Sequence, residues 1–257
     1  MNNPYTSFVN MDPSVPTKNA IMFFPQEWDE LINCLPLINY YQDKYVTLKV
    51  IMRGDSFNMF NFYIKQFDNV EPLYLQKGIL DVNFKKYFGL GGVDDRLFFG
   101  YNDCYRGDKY SNLYRFHNTR DFSISKLYTL YDIPYSERVN SFSLKRNSKL
   151  EDNGFKEVMS SYSGEYTVLD SAYEGSLTTT KTIVLDDDCN IIFDYIKVLE
   201  RAKEIYLGDS KWAYMCYLLD SRYGIFRNIK VTILCDKDRS VMFTNPKQLS
   251  NWEIKYK

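Results

Sequence analysis

The chain has 257 residues and a mass of 30.5 kDa, enough for one large domain or two small ones. Lysine and arginine number 32 against 33 aspartates and glutamates, a formal charge of −1, and this balance argues against a broadly basic binder of nucleic acid or anionic membrane. A single histidine, His117, excludes a multi-histidine centre, and five scattered cysteines (Cys34, Cys104, Cys189, Cys216, Cys235) without a CxxC pair argue against a Cys/His zinc cluster.

No apolar run approaches the roughly 18 residues of a membrane-spanning helix. The opening stretch lacks both a basic start and an apolar core, so no secretory signal is expected. Together with the scattered cysteines this points to reduced thiols and a cytoplasmic setting. Aromatic residues are abundant, with 23 Tyr and 18 Phe, and Asn and Lys are frequent too. An AT-rich coding sequence, viral or bacterial, explains most of that excess; a sugar-stacking surface is the sharper explanation of the remainder.

Residues 1–18, with three prolines, read as an irregular arm. Ala20–Phe24 is a short continuous apolar run that suits a buried parallel strand. From Trp28 to Tyr41 the apolar residues fall at helical spacing, with Pro36 set to kink the helix. Tyr45–Met52 reads as a second strand, and Asp55 or Ser56 as the cap of a helix over Phe57–Phe67. Val70–Leu75 is a third strand and Arg96–Tyr101 a fourth. This alternation is the signature of a parallel α/β sheet. Tyr128–Asn147 is more polar and reads as a helix end, a turn at Ile133-Pro134 and an extended connector. The second run has strands at Tyr166–Leu169, Thr182–Leu185, Glu204–Leu207 and Ile229–Cys235. Its helices fall over Ile191–Ala202 and Lys211–Arg222, and a last extended piece lies at Trp252–Ile254.

The expected fold is therefore α/β, with two small Rossmann-like halves, residues 1–143 and 144–257, facing across a cleft. Open α/β sheets bind ligands at the carboxyl ends of their strands. Two strand-to-helix junctions carry chemistry there. Pro25–Glu30 presents Glu27, Asp29 and Glu30; a carboxylate here can serve as general base, and acids here also complement the helix dipole. Gly208-Asp209-Ser210 follows an apolar strand and opens a helix, where backbone N–H groups can hold phosphate and Asp209 or Ser210 can act as the cap. Asp170, Ser171 and Tyr173 follow the first strand of the second half. Arg53 and Asp103 follow strands of the first half; Arg53 can reach an acceptor or simply begin a turn, and Asp103 can line the cleft or sit in a solvated loop. Trp28 and Trp212 can stack on a sugar or fill the core.

Residues Ile21–Phe24, Glu27–Pro36 and Leu37–Tyr41, with Glu204–Ser210 in the second half, resemble GT-B glycosyltransferases of the heptosyltransferase type. Ile205–Trp252 also looks like uncharacterised GT-B-like proteins of viral and bacterial glycan clusters. The resemblance implies transfer of a sugar from a nucleotide-sugar to a hydroxyl of a glycan or glycoconjugate, without a metal or resident cofactor. Counting back from Leu35-Pro36 puts Glu30 on the family's acidic residue, which the resemblance implies is the catalytic base, and Asp29 on its glycine. By the same likeness Asp209, Ser210 and Lys211 contact the donor phosphate; by their place after strands and at the first strand-to-helix junction, Asp170 and Ser171 are donor-side candidates and Glu27, Trp28, Arg53 and Asp103 acceptor-side candidates. The sequence departs from the family at Asp29, at Lys211 in place of a glycine, and at Tyr214 near the place of a histidine.

Two other readings stay open. A GT-A-type enzyme would hold a metal on Asp236-Lys-Asp238 or Asp186-Asp187-Asp188. A relative that kept the fold but lost turnover would be a glycan-binding or structural protein. A transferase acting on modified DNA is disfavoured by the neutral charge.

Overall fold

The computed structural model describes residues 18–24, 31–53, 57–75, 94–98, 128–129, 131–176, 181–186, 192–237, 243 and 249–257. The chain divides into two compact units, Met1–Leu144 and Lys145–Lys257.

In the first unit, β1 (Asn19–Phe24) is followed by a 3-10 turn (Ile32–Cys34) and α1 (Leu35–Gln42). Then come β2 (Thr47–Arg53), α2 (Phe57–Ile64), β3 (Val70–Leu75), β4 (Asp95–Phe98) and a short α3 (Glu137–Asn140). The sheet order is β3-β2-β1-β4 and every pair is parallel, with Met22 opposite both Val50 and Leu97. Parallel strands must be covered on both faces, which is why β1 and the Val50-Ile51-Met52 run of β2 are apolar without alternation. Ala20, Ile21, Met22 and Phe24 of β1 are buried, as are Leu48, Val50, Ile51 and Met52 of β2. Burying each large side chain contributes about 2 kcal/mol. Pro72, which cannot donate to a ladder, stands on the edge strand β3. Pro36 lies in the first turn of α1, where its missing N–H costs nothing, so the tight turn before it and the helix after it meet at that proline.

The second unit starts with α4 (Ser148–Met159). It continues through β5 (Thr167–Asp170), β6 (Thr182–Leu185), a 3-10 turn (Ile192–Tyr195) and α5 (Ile196–Glu200). Last come β7 (Glu204–Leu207), α6 (Lys211–Tyr223), β8 (Lys230–Cys235) and β9 (Trp252–Tyr256). The order is β6-β5-β7-β8-β9, again all parallel. By register, Val168, Ile205, Leu207, Val231, Ile233 and Cys235 share one face, and each is fully buried. Gly224 closes α6 in the left-handed region (φ 66°), with its N–H on the carbonyl of Asp220 at 2.7 Å.

Two expectations are corrected. The connector is not extended throughout: α3 forms inside it, and the Asp132 turn before it takes a positive φ of 53°, which aspartate tolerates. Residues 148–159 are a three-turn helix that the apolar pattern does not announce. Asn147 caps it, accepting from the Leu150 N–H at 3.2 Å, and its one buried residue is Glu151. That carboxylate meets Arg146, which also pairs with Glu200 at the end of α5. The helix over Ile191–Ala202 opens with a 3-10 turn and then runs only to Glu200 as α-helix.

Candidate functional site

The order of the second sheet reverses between β5 and β7: the chain steps from β5 out to β6, then returns past β5 to β7, β8 and β9. Ligands of open α/β sheets collect at the carboxyl ends of strands beside such a reversal. Both strands end there in named candidates. β5 ends on Asp170 and runs into Ser171. β7 ends on Leu207 and runs through Gly208, Asp209 and Ser210 into α6.

The Asp170 carboxylate is fully buried. It accepts the Ala172 N–H at 3.0 Å, the Gly208 N–H at 3.0 Å and the hydroxyl of Ser210. The Ser210 oxygen in turn caps α6, accepting from the N–H groups of Trp212 (3.2 Å) and Ala213 (3.5 Å). Ser210 is 2% exposed. The side chains of Asp170 and Ser210 are therefore committed to each other and to the backbone. Gly208 has no room for a side chain: a Cβ would lie 2.3 Å from the Ala172 carbonyl oxygen. One buried carboxylate thus ties the end of β5 to the β7–α6 turn and fixes the backbone of that turn.

The neighbouring candidates differ in access. Asp209 is half-buried and its carboxylate accepts the Tyr214 hydroxyl. Tyr214, one turn into α6, is buried and stacks on Phe243 at 5.4 Å. Lys211 is 4% exposed, so it is a buried lysine and not the solvated one its position in the sequence suggests. Ser171 is exposed at the same rim, and its N–H is bound to the Leu185 carbonyl at 3.0 Å. The rings of Tyr173 and Tyr206 meet edge to face at 5.4 Å beneath that rim. Burial, with the nearby Glu204 carboxylate, pushes the Tyr206 phenol up to about 12. Trp212 is wholly buried against Tyr195 and belongs to the core, not to a stacking surface.

Glu27, Trp28, Asp29, Glu30, Asp103 and His117 of the first unit lie outside the described residues, as do Asp187, Asp188 and Asp238 of the second. Arg53 ends β2, and its backbone alone is described. The 3-10 turn directly after residues 25–30 is held firmly. The Arg138 Nε donates to Asn33 Oδ1 at 3.0 Å, and Tyr128 donates to the Asn33 carbonyl at 3.1 Å. Arg138 also donates to the Tyr135 hydroxyl at 2.7 Å. Both Asn33 and Arg138 are buried, and their separation of 105 positions conceals this tie from any local reading. In the acidic runs, Asp236 is exposed just past β8.

No family model matches the sequence, and no curated protein matches it either. The chain's fold does have a counterpart. The glycosyl transferase family 9 protein from Veillonella parvula DSM 2008 aligns with it at a TM-score of 0.56 and 9% sequence identity. The alignment covers 95% of this chain and 87% of that one, so it takes in both units. At 9% identity the likeness establishes the fold, a GT-B-like α/β architecture with a parallel Rossmann-like sheet in each unit. Among the described residues no helix is long and apolar enough to cross a membrane.

Proposed function

We propose that this protein is a glycosyltransferase, moving a sugar from a nucleotide-sugar to a hydroxyl of a glycan or glycoconjugate acceptor without a divalent metal. The observation that carries the reading is the β7–α6 turn, locked from below by Asp170 and lying at the reversal of strand order. The whole-chain likeness to a family 9 glycosyl transferase supports it at the level of fold.

In this reading the donor diphosphate meets main-chain N–H groups of residues 209–211 at the positive end of α6. The Asp170 and Ser210 side chains hold those groups in place, and Ser171 offers a hydroxyl from the adjoining strand end. Asp209 faces the sugar or ribose. Glu30, with Asp29 beside it, takes the proton from the acceptor hydroxyl in the first unit, where Glu27, Trp28, Arg53 and Asp103 contact the acceptor. The helix dipole and nearby cations offset charge on the leaving diphosphate, which leaves no step that requires a metal.

The test is thermal melting against a panel of nucleoside diphosphates and nucleotide-sugars, with and without Mn²⁺ or Mg²⁺. A ligand at 100 times its Kd adds about 2.7 kcal/mol, a shift of a few degrees for a chain of this size. A metal-independent shift with one nucleotide family supports the proposal and names the donor class. A shift only with metal moves the assignment to Asp236 and Asp238. No shift with any member leaves a glycan-binding or structural protein on a transferase fold.

A further inference from the structure

The geometry points to Lys257 as the cation that serves the donor diphosphate, held ready across the strand ends by Glu174; this assignment rests on the donor reading above. Lys257 follows β9, the edge strand farthest from β5 on the β7 side. Its backbone N–H donates to the Cys235 carbonyl at 3.2 Å, which keeps the residue against the end of β8. From that anchor its ammonium reaches Glu174 Oε2 at 2.9 Å, on the segment after β5. Glu174 lies beyond the end of β5 and Lys257 just beyond the end of β9, and in the order β5-β7-β8-β9 two other strands separate β5 from β9. The ion pair thus joins segments that leave the sheet on either side of the carboxyl ends of β7 and β8.

The pair therefore lies along the rim where the β7–α6 turn opens. Tyr173, next to Glu174, is fixed there by its N–H on the Asp170 carbonyl at 2.9 Å and by its ring on Tyr206. The Glu174 partner, with smaller contributions from Asp236 and Asp209 just past β8 and β7, raises the Lys257 ammonium above its ordinary range, so it stays protonated.

The chemistry favours exchange. The Glu174 side chain is 70% exposed and can return to water at little cost, since exposed ion pairs contribute at most about 1 kcal/mol. A diphosphate offers the same ammonium a stronger, charge-assisted acceptor. Lys257 also neutralises part of the acidic rim formed by Glu174, Asp209 and Asp236, which would otherwise repel the donor. Lys211, the cation adjacent in sequence, is 4% exposed and less accessible to a ligand.

The experiment is calorimetric titration of the full chain with inorganic pyrophosphate and with UDP, GDP, CDP and ADP. Wild type, Lys257→Met, Lys257→Arg and Glu174→Gln are compared at two salt concentrations. The assignment expects Lys257→Met to weaken binding about tenfold and to flatten its salt dependence. Lys257→Arg is expected to retain affinity within about threefold, and Glu174→Gln to bind as tightly as wild type or more so. Equal binding by wild type and Lys257→Met overturns the assignment while leaving the donor reading intact. Failure of wild type to bind every probe overturns the donor reading, and the assignment with it. Melting of each variant alone checks that the changes act on binding and not on folding.

Discussion

The carboxylate of Asp170 and the hydroxyl of Ser210 are joined by a buried hydrogen bond that spans forty positions of sequence. It couples the end of one strand to the cap of a helix that follows another. Neither group has water to fall back on, so each depends on the other. Asp170→Ala leaves the Gly208 N–H and the Ser210 hydroxyl buried without their acceptor. The expected loss is about 3 kcal/mol of unfolding free energy, read by urea denaturation. Ser210→Ala removes the cap but keeps the two backbone bonds to Asp170, and is expected to cost about 1 kcal/mol. Equal losses for the two variants would show that the carboxylate does no more than serve the cap.

Gly208→Ala probes the same turn by volume. Its Cβ would meet the oxygen, carbon and side chain of Ala172 at 2.3, 2.4 and 2.7 Å, and two of these are backbone atoms that cannot swing aside. The turn has to move, at about 2 kcal/mol. If the turn holds the donor, nucleoside diphosphate affinity falls by more than the stability loss accounts for. Titration of the folded variant at low temperature separates the two effects.

Glu30→Gln tests the other half of the mechanism. Removing a general base while keeping its shape is expected to lower kcat by 10²–10⁴-fold and to leave donor binding unchanged. Turnover is followed by release of the nucleoside diphosphate. A variant with wild-type kcat would free Glu30 from the role and shift attention to Asp29.

Alkaline pH gives a stability test. Tyr166 is buried, its hydroxyl donates to the Val198 carbonyl at 2.7 Å, and burial pushes its phenol up to about 12. The phenol ionises near 10 in the unfolded chain, so above that pH the unfolded state sheds a proton that the folded state keeps. Stability is therefore full below pH 10 and falls as pH rises from 10 towards 12. Tyr74 and Tyr206, pushed up to about 12 chiefly by burial, act in the same direction. Tyr166→Phe is expected to lose about 1 kcal/mol at pH 7 and to show a shallower decline between pH 10 and 12. Denaturant midpoints at pH 7, 10 and 11.5 decide it; parallel curves for both proteins would remove Tyr166 from the titration.

Much of the fold was legible because parallel strands announce themselves as apolar runs. Val70–Leu75, Thr182–Leu185 and Glu204–Leu207 have the same bounds in the sequence reading and in the structure. Helix α4 was not legible, since its stripe of Leu150, Phe155, Val158 and Met159 is only half-buried and its one buried residue is a glutamate answering an arginine outside the helix. The β7–α6 turn was visible as Gly-Asp-Ser after an apolar strand. The engagement of Asp170 with it was not, because hydrogen bonds between strand ends depend on sheet order, which no local window contains. The Arg138–Asn33 tie escaped for the same reason. Lys257 escaped because its setting is created by the pairing of β9 with β8.

The parallel pairing of every described strand also has a kinetic consequence. With no antiparallel neighbour among them, the described strands offer no hairpin from which to start. The shortest separation between paired residues is the fifteen positions from Thr167 to Thr182, whereas Ala20 must find Asp95 across seventy-five. Closing such loops before any contact rewards them makes folding slow, on the order of milliseconds to seconds. During that interval the apolar strands β1 and β2 stand open to other chains. Expression at low temperature, or with a chaperone that shields early chains, is therefore expected to raise the yield of this protein more than any single stabilising substitution.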